Sequence, residues 1–102
     1  MPDVMVHEFL LGFLKLYILQ CAAREPIFGK EVHDQLETYG YRISYGTLYH
    51  TFHEFEKKGY LTHEERNVNG KIRKYYTVTK RGEEALAKAR AKAKELITSI
   101  YD

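Results

Sequence analysis

Tryptophan is absent from this 102-residue sequence, cysteine occurs once and proline twice. The lone thiol, Cys21, excludes an intrachain disulfide, so packing alone must hold the fold, and a reducing compartment, the cytoplasm, is the expected setting. An early Lys/Arg cluster is missing too. Asp3 and Glu8 stand there instead, unlike a secretory signal. Long apolar runs are lacking: Phe9 to Leu14 stops at Lys15 and Leu16 to Leu19 stops at Gln20, whereas a membrane span takes about 20 apolar residues. No nucleophile-and-base motif, phosphate loop or cofactor fingerprint is present, which argues against an enzyme and implies no cofactor. His50 and His53 (i, i+3) could chelate weakly, but a closed metal site needs three or four ligands, and no Cys or Asp stands at motif spacing. No metal is expected. Cys21, on an apolar helix, reads as a packed thiol and not as a redox sensor.

The composition that remains is that of a folded chain: 44% apolar, 29% charged, and a net charge of only +2. One domain over residues 1–102 is expected, with no linker, repeat or interior boundary. The first helix, residues 3–23, carries Phe9, Leu10, Phe13, Leu14, Tyr17, Ile18 and Cys21 at spacings of three and four. Leu11 and Leu16 lie off this stripe and suggest a second buried surface, against another subunit. A second helix, residues 27–39, ends at Gly40, and a short connection leads to a third, residues 44–58, which Ser44 caps and Gly59 closes. Two helices joined this tightly read as a helix-turn-helix. Leu61 to Arg66 and Lys71 to Val78 then read as strands of a hairpin over residues 61–78, with Asn67 to Gly70 as the turn; Asn69-Gly70 is a strong type I′ signal. Thr79 opens a last helix, residues 79–101. Its Gly82, Leu86, Ala89, Ala93, Leu96 and Ile100 make a coiled-coil-like seam. The fold class is mainly α with a small β-hairpin (α+β): a winged helix-turn-helix with an added C-terminal dimerisation helix. A symmetric dimer is expected, built on Phe9, Phe13, Leu86, Ala89, Ala93, Leu96 and Ile100.

On a helical wheel Leu48, Phe52 and Phe55 turn one face of the third helix to the core. Gly46, His50, His53 and Lys57 occupy the other, with Tyr49 at its edge. Gly46 exposes backbone, and the other side chains can donate hydrogen bonds to bases or phosphates. Between Arg66 and Arg81, sixteen residues carry six positive charges (Arg66, Lys71, Arg73, Lys74, Lys80 and Arg81) and no acid. A positive wing beside a helix N-terminus suits phosphate binding. Charges that merely keep the hairpin edge from pairing with other chains could be of mixed sign. A winged helix that docks another protein and never touches nucleic acid is the competing reading, because fold does not settle function.

With these residues in place, the chain resembles the PadR-like family of transcriptional regulators, in its shorter branch with a single C-terminal helix, over about Phe9 to Ile100. Ser44-Tyr45-Gly46-Thr47-Leu48-Tyr49 is similar to the family's Ser-Pro-Gly-Thr-Leu-Tyr entry to the recognition helix. Glu56, Gly59 and Leu61 also match, as do Arg73-Lys74-Tyr75-Tyr76, Thr79 and Gly82. The resemblance implies a homodimeric repressor on double-stranded DNA at an inverted repeat, with a small aromatic effector at the dimer interface. It implies DNA contacts by Ser44, Tyr45, Thr47 and Lys30, the last standing where a Tyr frequently follows Gly29. Tyr45 and His50 replace prolines common in the family, and the absence of Trp leaves no Trp-lined drug pocket.

Overall fold

The computed structural model describes residues 4–102; Asp3, at the expected start of the first helix, lies outside the described residues. α1 (Val4–Arg24) buries Leu14, Ile18, Leu19 and Ala22. These positions face the core, and each fully buried Leu or Ile contributes roughly 1.5–3 kcal/mol. Phe9 and Phe13 do not join them: they are 60% and 40% exposed and stack on one another. By length and composition alone, α1 would suffice to cross a membrane, which its two interrupted apolar runs did not suggest. The core packing of its second half, and Lys15 near its middle, belong instead to a domain helix.

α2 (Gly29–Thr38) starts two residues later than the hydrophobic pattern implied. Ile27 is extended and pairs with Tyr76: each backbone N–H donates to the other's carbonyl, at 2.9 and 2.7 Å. Helical geometry at Ile27 would forfeit both bonds, and Phe28 is extended likewise. Val32 and Leu36 are the buried side of α2. Beyond its end, Gly40 N–H bonds to Glu37 and Tyr41 N–H to Leu36, the Schellman closure that a left-handed glycine permits. Tyr41 and Ile43 in the connection are buried. α3 (Tyr45–Lys57) inserts Leu48, Thr51, Phe52 and Phe55 into the core.

β1 (Leu61–Val68) and β2 (Lys71–Val78) pair antiparallel from Leu61–Val78 to Val68–Lys71. β2 has the expected bounds, whereas β1 runs two residues further and the turn is shorter than the sequence suggested, because Asn69 and Gly70 alone make it, with φ of 53° and 83°. Those are the type I′ signs that let a two-residue loop follow strand twist. Thr79 then caps α4 (Lys80–Tyr101), its hydroxyl accepting from Gly82 N–H at 3.0 Å and donating to Gly59 O. α4 packs on α1. The expected seam splits along its length: Leu86 is only 6% exposed and serves the protomer's own core, while Leu96 and Ile100 stand exposed. The element order helix, helix, helix, hairpin, helix is a winged helix-turn-helix carrying an extra C-terminal helix.

Candidate nucleic-acid interface

The first turn of α2, the middle of α3 and β2 of the wing enclose an open groove of about 420 Å³. Among its lining are five residues singled out from the sequence: Lys30, Tyr49, His53, Arg73 and Lys74. The Ile27–Tyr76 pairing creates this meeting, because it lays the start of α2 along the outer edge of β2. Phe28 and Gly29 were not anticipated, nor was Ile72, which is exposed on the groove side of the wing.

Two of the basic side chains in the groove are placed by a neighbour. Lys30 Nζ donates to Asp34 Oδ2 at 2.7 Å, one helical turn on. This hydrogen bond raises the lysine's pKa and lowers that of Asp34, so both stay ionised at neutral pH. The Arg73 guanidinium lies 4.7 Å from the Phe28 ring centroid, and Phe28 meets Tyr75 at 5.2 Å. Arg66, directly across the ladder from Arg73, covers Tyr75 at 4.3 Å. Stacking occupies a guanidinium's face and leaves its N–H edge to anions. Arg73 and Lys74 leave opposite faces of β2, Lys74 on the side of Ile72 and Tyr76.

The wing is less uniformly basic in space than along the chain. β1 brings Glu65 opposite Lys74 and Glu64 opposite Tyr75, and Arg66 Nε donates to Glu64 Oε1 at 2.7 Å. Positive charge without an acidic neighbour directly across the ladder is left at Arg73, which faces Arg66, and at Lys71, which is exposed beside the turn and pairs with Val68.

On α3, His50 is exposed but does not line the groove, whereas His53 does. Tyr49 is less free than a residue at the edge of a solvent face. Its ring meets Phe52 edge-on, centroids 5.9 Å apart, and its hydroxyl covers Gly29 so closely that a Cβ there would stand 2.6 Å from it. Ser44 and Thr47 serve first as the cap: Ser44 Oγ accepts from Thr47 N–H at 3.1 Å and donates to Thr47 Oγ1 at 2.9 Å. Gly46 leaves the backbone open beside them, since a Cβ would meet nothing nearer than 3.9 Å. Lys57, at the far end of α3, is 4.0 Å from Glu54 and does not reach the groove.

Beneath the groove Tyr76 is 1% exposed and stacks on Phe52 at 4.4 Å. Its hydroxyl has no hydrogen-bond partner among the described residues, and burial, with Glu56 and Tyr49 adding, pushes its pKa up to about 12. Among the described residues no group of three or more His, Cys, Asp or Glu could hold a metal ion. Burial raises the pKa of Cys21, the direction opposite to thiol activation.

The sequence pattern of the transcriptional regulator PadR-like family matches residues 18–88, which takes in α2, α3, the wing and the start of α4. The chain belongs to the PadR-like family. It is 37% identical over 95 residues to the transcriptional regulator Rv3488 of Mycobacterium tuberculosis, covering 93% of this chain and 89% of that one. A PadR family regulator from Eggerthella lenta superposes with a TM-score of 0.85 at 32% identity, over 94% of this chain and 85% of that one. A PadR-like regulator from Bacillus cereus does so with 0.83 at 25%, over 92% and 93%. This PadR-like protein is therefore a DNA-binding transcriptional regulator and not an enzyme.

Proposed function

We propose that this PadR-like protein is a homodimeric repressor that acts in the cytoplasm on an inverted-repeat operator, as one domain over residues 1–102. The convergence of Lys30, Arg73 and Lys74 beside α3 carries the reading of the DNA-facing side. Three cations that two adjoining elements bring together beside the recognition helix suit the phosphate backbone along the groove that the helix enters. Tyr45, Gly46, Tyr49, His50 and His53 face the duplex, with Ser44 and Thr47 shaping the helix entry and Lys57 and Lys71 at the periphery. Dimer formation is supported by apolar surface that one protomer leaves open: Phe9 and Phe13 on α1, and Leu96 and Ile100 on α4. Ala89 and Ala93 lie between Leu86 and Leu96, and small side chains let two helices approach closely. A small aromatic effector at that interface completes the reading. A cleft of about 280 Å³, lined by Leu10, Phe13, Leu14, Leu36 and Tyr41 among others, reaches the exposed face of α1, and the buried Tyr41 hydroxyl has no partner among the described residues.

The test is protection of duplex DNA by the purified protein. Two protected half-sites, their centres about 34 Å or a multiple apart, are expected from a two-fold dimer. His50→Ala should weaken binding to the protected duplex by roughly 1–3 kcal/mol and leave a scrambled duplex nearly unaffected. Protection of a single asymmetric half-site would contradict the dimer. An equal loss on both duplexes would remove His50 from base reading.

A further inference from the structure

We propose that His33, on α2, is a positioning residue for DNA reading: its imidazole stacks on Tyr45 and fixes that phenol at the entry of the recognition helix, where it meets a base edge. The inference rests on the reading of α3 as the DNA-facing helix. Tyr45 is the first residue of α3, and the first turn of a recognition helix is the part that reaches base edges. In that turn Ser44 and Thr47 are engaged in the cap and Gly46 has no side chain. Tyr45 therefore carries the long polar side chain available there, and it is 42% exposed.

An exposed tyrosine samples several rotamers, and freezing one on binding costs affinity. Here the cost is met before DNA arrives. The His33 and Tyr45 rings lie 4.3 Å apart and within 10° of parallel. Tyr45 stacks in turn with Tyr49 at 6.2 Å, and Tyr49 abuts the fully buried Phe52. A continuous aromatic column thus runs from the core to the helix entry. The His33 side chain is only 15% exposed, with Nδ1 3.5 Å from Asp34 Oδ1 and Nε2 3.7 Å from Glu37 Oε1, so the ring is held largely out of solvent beside two acceptors of its own helix. Asp34 also holds Lys30. One surface of α2 therefore tethers both a phosphate-binding candidate and the Tyr45 phenol. Because His33 covers a face of the Tyr45 ring, DNA would meet its edge and hydroxyl, groups suited to a base edge or a thymine methyl.

The experiment uses the duplex that the wild-type protein selects from a randomised pool, and a scrambled duplex of the same composition, titrated at one salt concentration. His33→Ala and Tyr45→Ala should each weaken binding to the selected duplex on the order of tenfold and leave the scrambled one unchanged. The double variant should lose no more than either single one. His33→Phe, which keeps a planar ring, should restore binding, and it decides the matter if His33→Ala melts early. Additive losses, equal losses on both duplexes, or no rescue by His33→Phe would overturn the proposal. A wild-type protein that selects no duplex would defeat the DNA reading itself, whereas selection without these mutant effects defeats the role of His33 alone.

Discussion

Two glycines show how differently a single Cβ can act in this fold. At Gly82 a Cβ would collide with the backbone carbonyl of Tyr60 and lie 2.7 Å from Val78 Cγ2. Backbone cannot move aside cheaply, so Gly82→Ala should cost about 1–3 kcal/mol in urea unfolding. At Gly29 the obstacle is the far end of the Tyr49 side chain, which can swing away. Gly29→Ala should therefore leave unfolding almost unchanged yet weaken duplex binding several-fold by displacing the phenol; unchanged affinity would mean that Tyr49 placement is irrelevant. Tyr76 gives a third residue-level expectation. Its folded pKa, about 12, lies above the ordinary value of 10.0. A raised acid pKa means that the folded state holds its proton longer than the unfolded one. The stability linked to it is fully present below pH 10 and is lost as pH rises toward 12. Tyr76→Phe removes a buried hydroxyl without a partner and should be neutral or stabilising at pH 7 while reducing the alkaline loss. Thermal melts at pH 7 and pH 11 check both. A lower melting temperature at pH 7 would show that the hydroxyl is satisfied after all.

At the scale of elements, what was legible in the sequence is what has a local cause. The core face of α3 followed from the spacing of Leu48, Phe52 and Phe55, and the hairpin from Asn69-Gly70, since both signals act within a few residues. The start of α2 was misplaced because Ile27 answers to Tyr76, far along the chain, and no local period reports that bond. The same pairing puts Phe28 under Arg73, so the groove could be read only as a set of separate basic residues. His33 gave no sequence signal either, since its stack on Tyr45 joins two helices. Charge counted along the chain likewise overstated the wing, because folding sets Glu64 and Glu65 across from its basic strand.

For the whole molecule, periodicity marked the seam on α4 without saying which of its residues stay inside the protomer. Leu86 does; Leu96 and Ile100 do not. Leu96→Glu with Ile100→Glu should therefore break the proposed dimer and leave the protomer folded, whereas removing everything after Glu84 would take a core residue with it. Sedimentation of the double variant as a monomer with an unchanged helical spectrum is expected, and an intact dimer would place the interface elsewhere. A monomer should also bind operator far more weakly, because linked half-sites raise the effective concentration at the second half-site. The central claim, that the groove between α2, α3 and the wing lies on the phosphate backbone, is tested most directly by the salt dependence of duplex binding. The protein in which Lys71, Arg73 and Lys74 are all replaced by alanine should show a slope of log affinity against log salt that is shallower by roughly 0.9 for each phosphate it no longer neutralises. A slope unchanged from the wild-type protein would mean that the wing does not touch DNA.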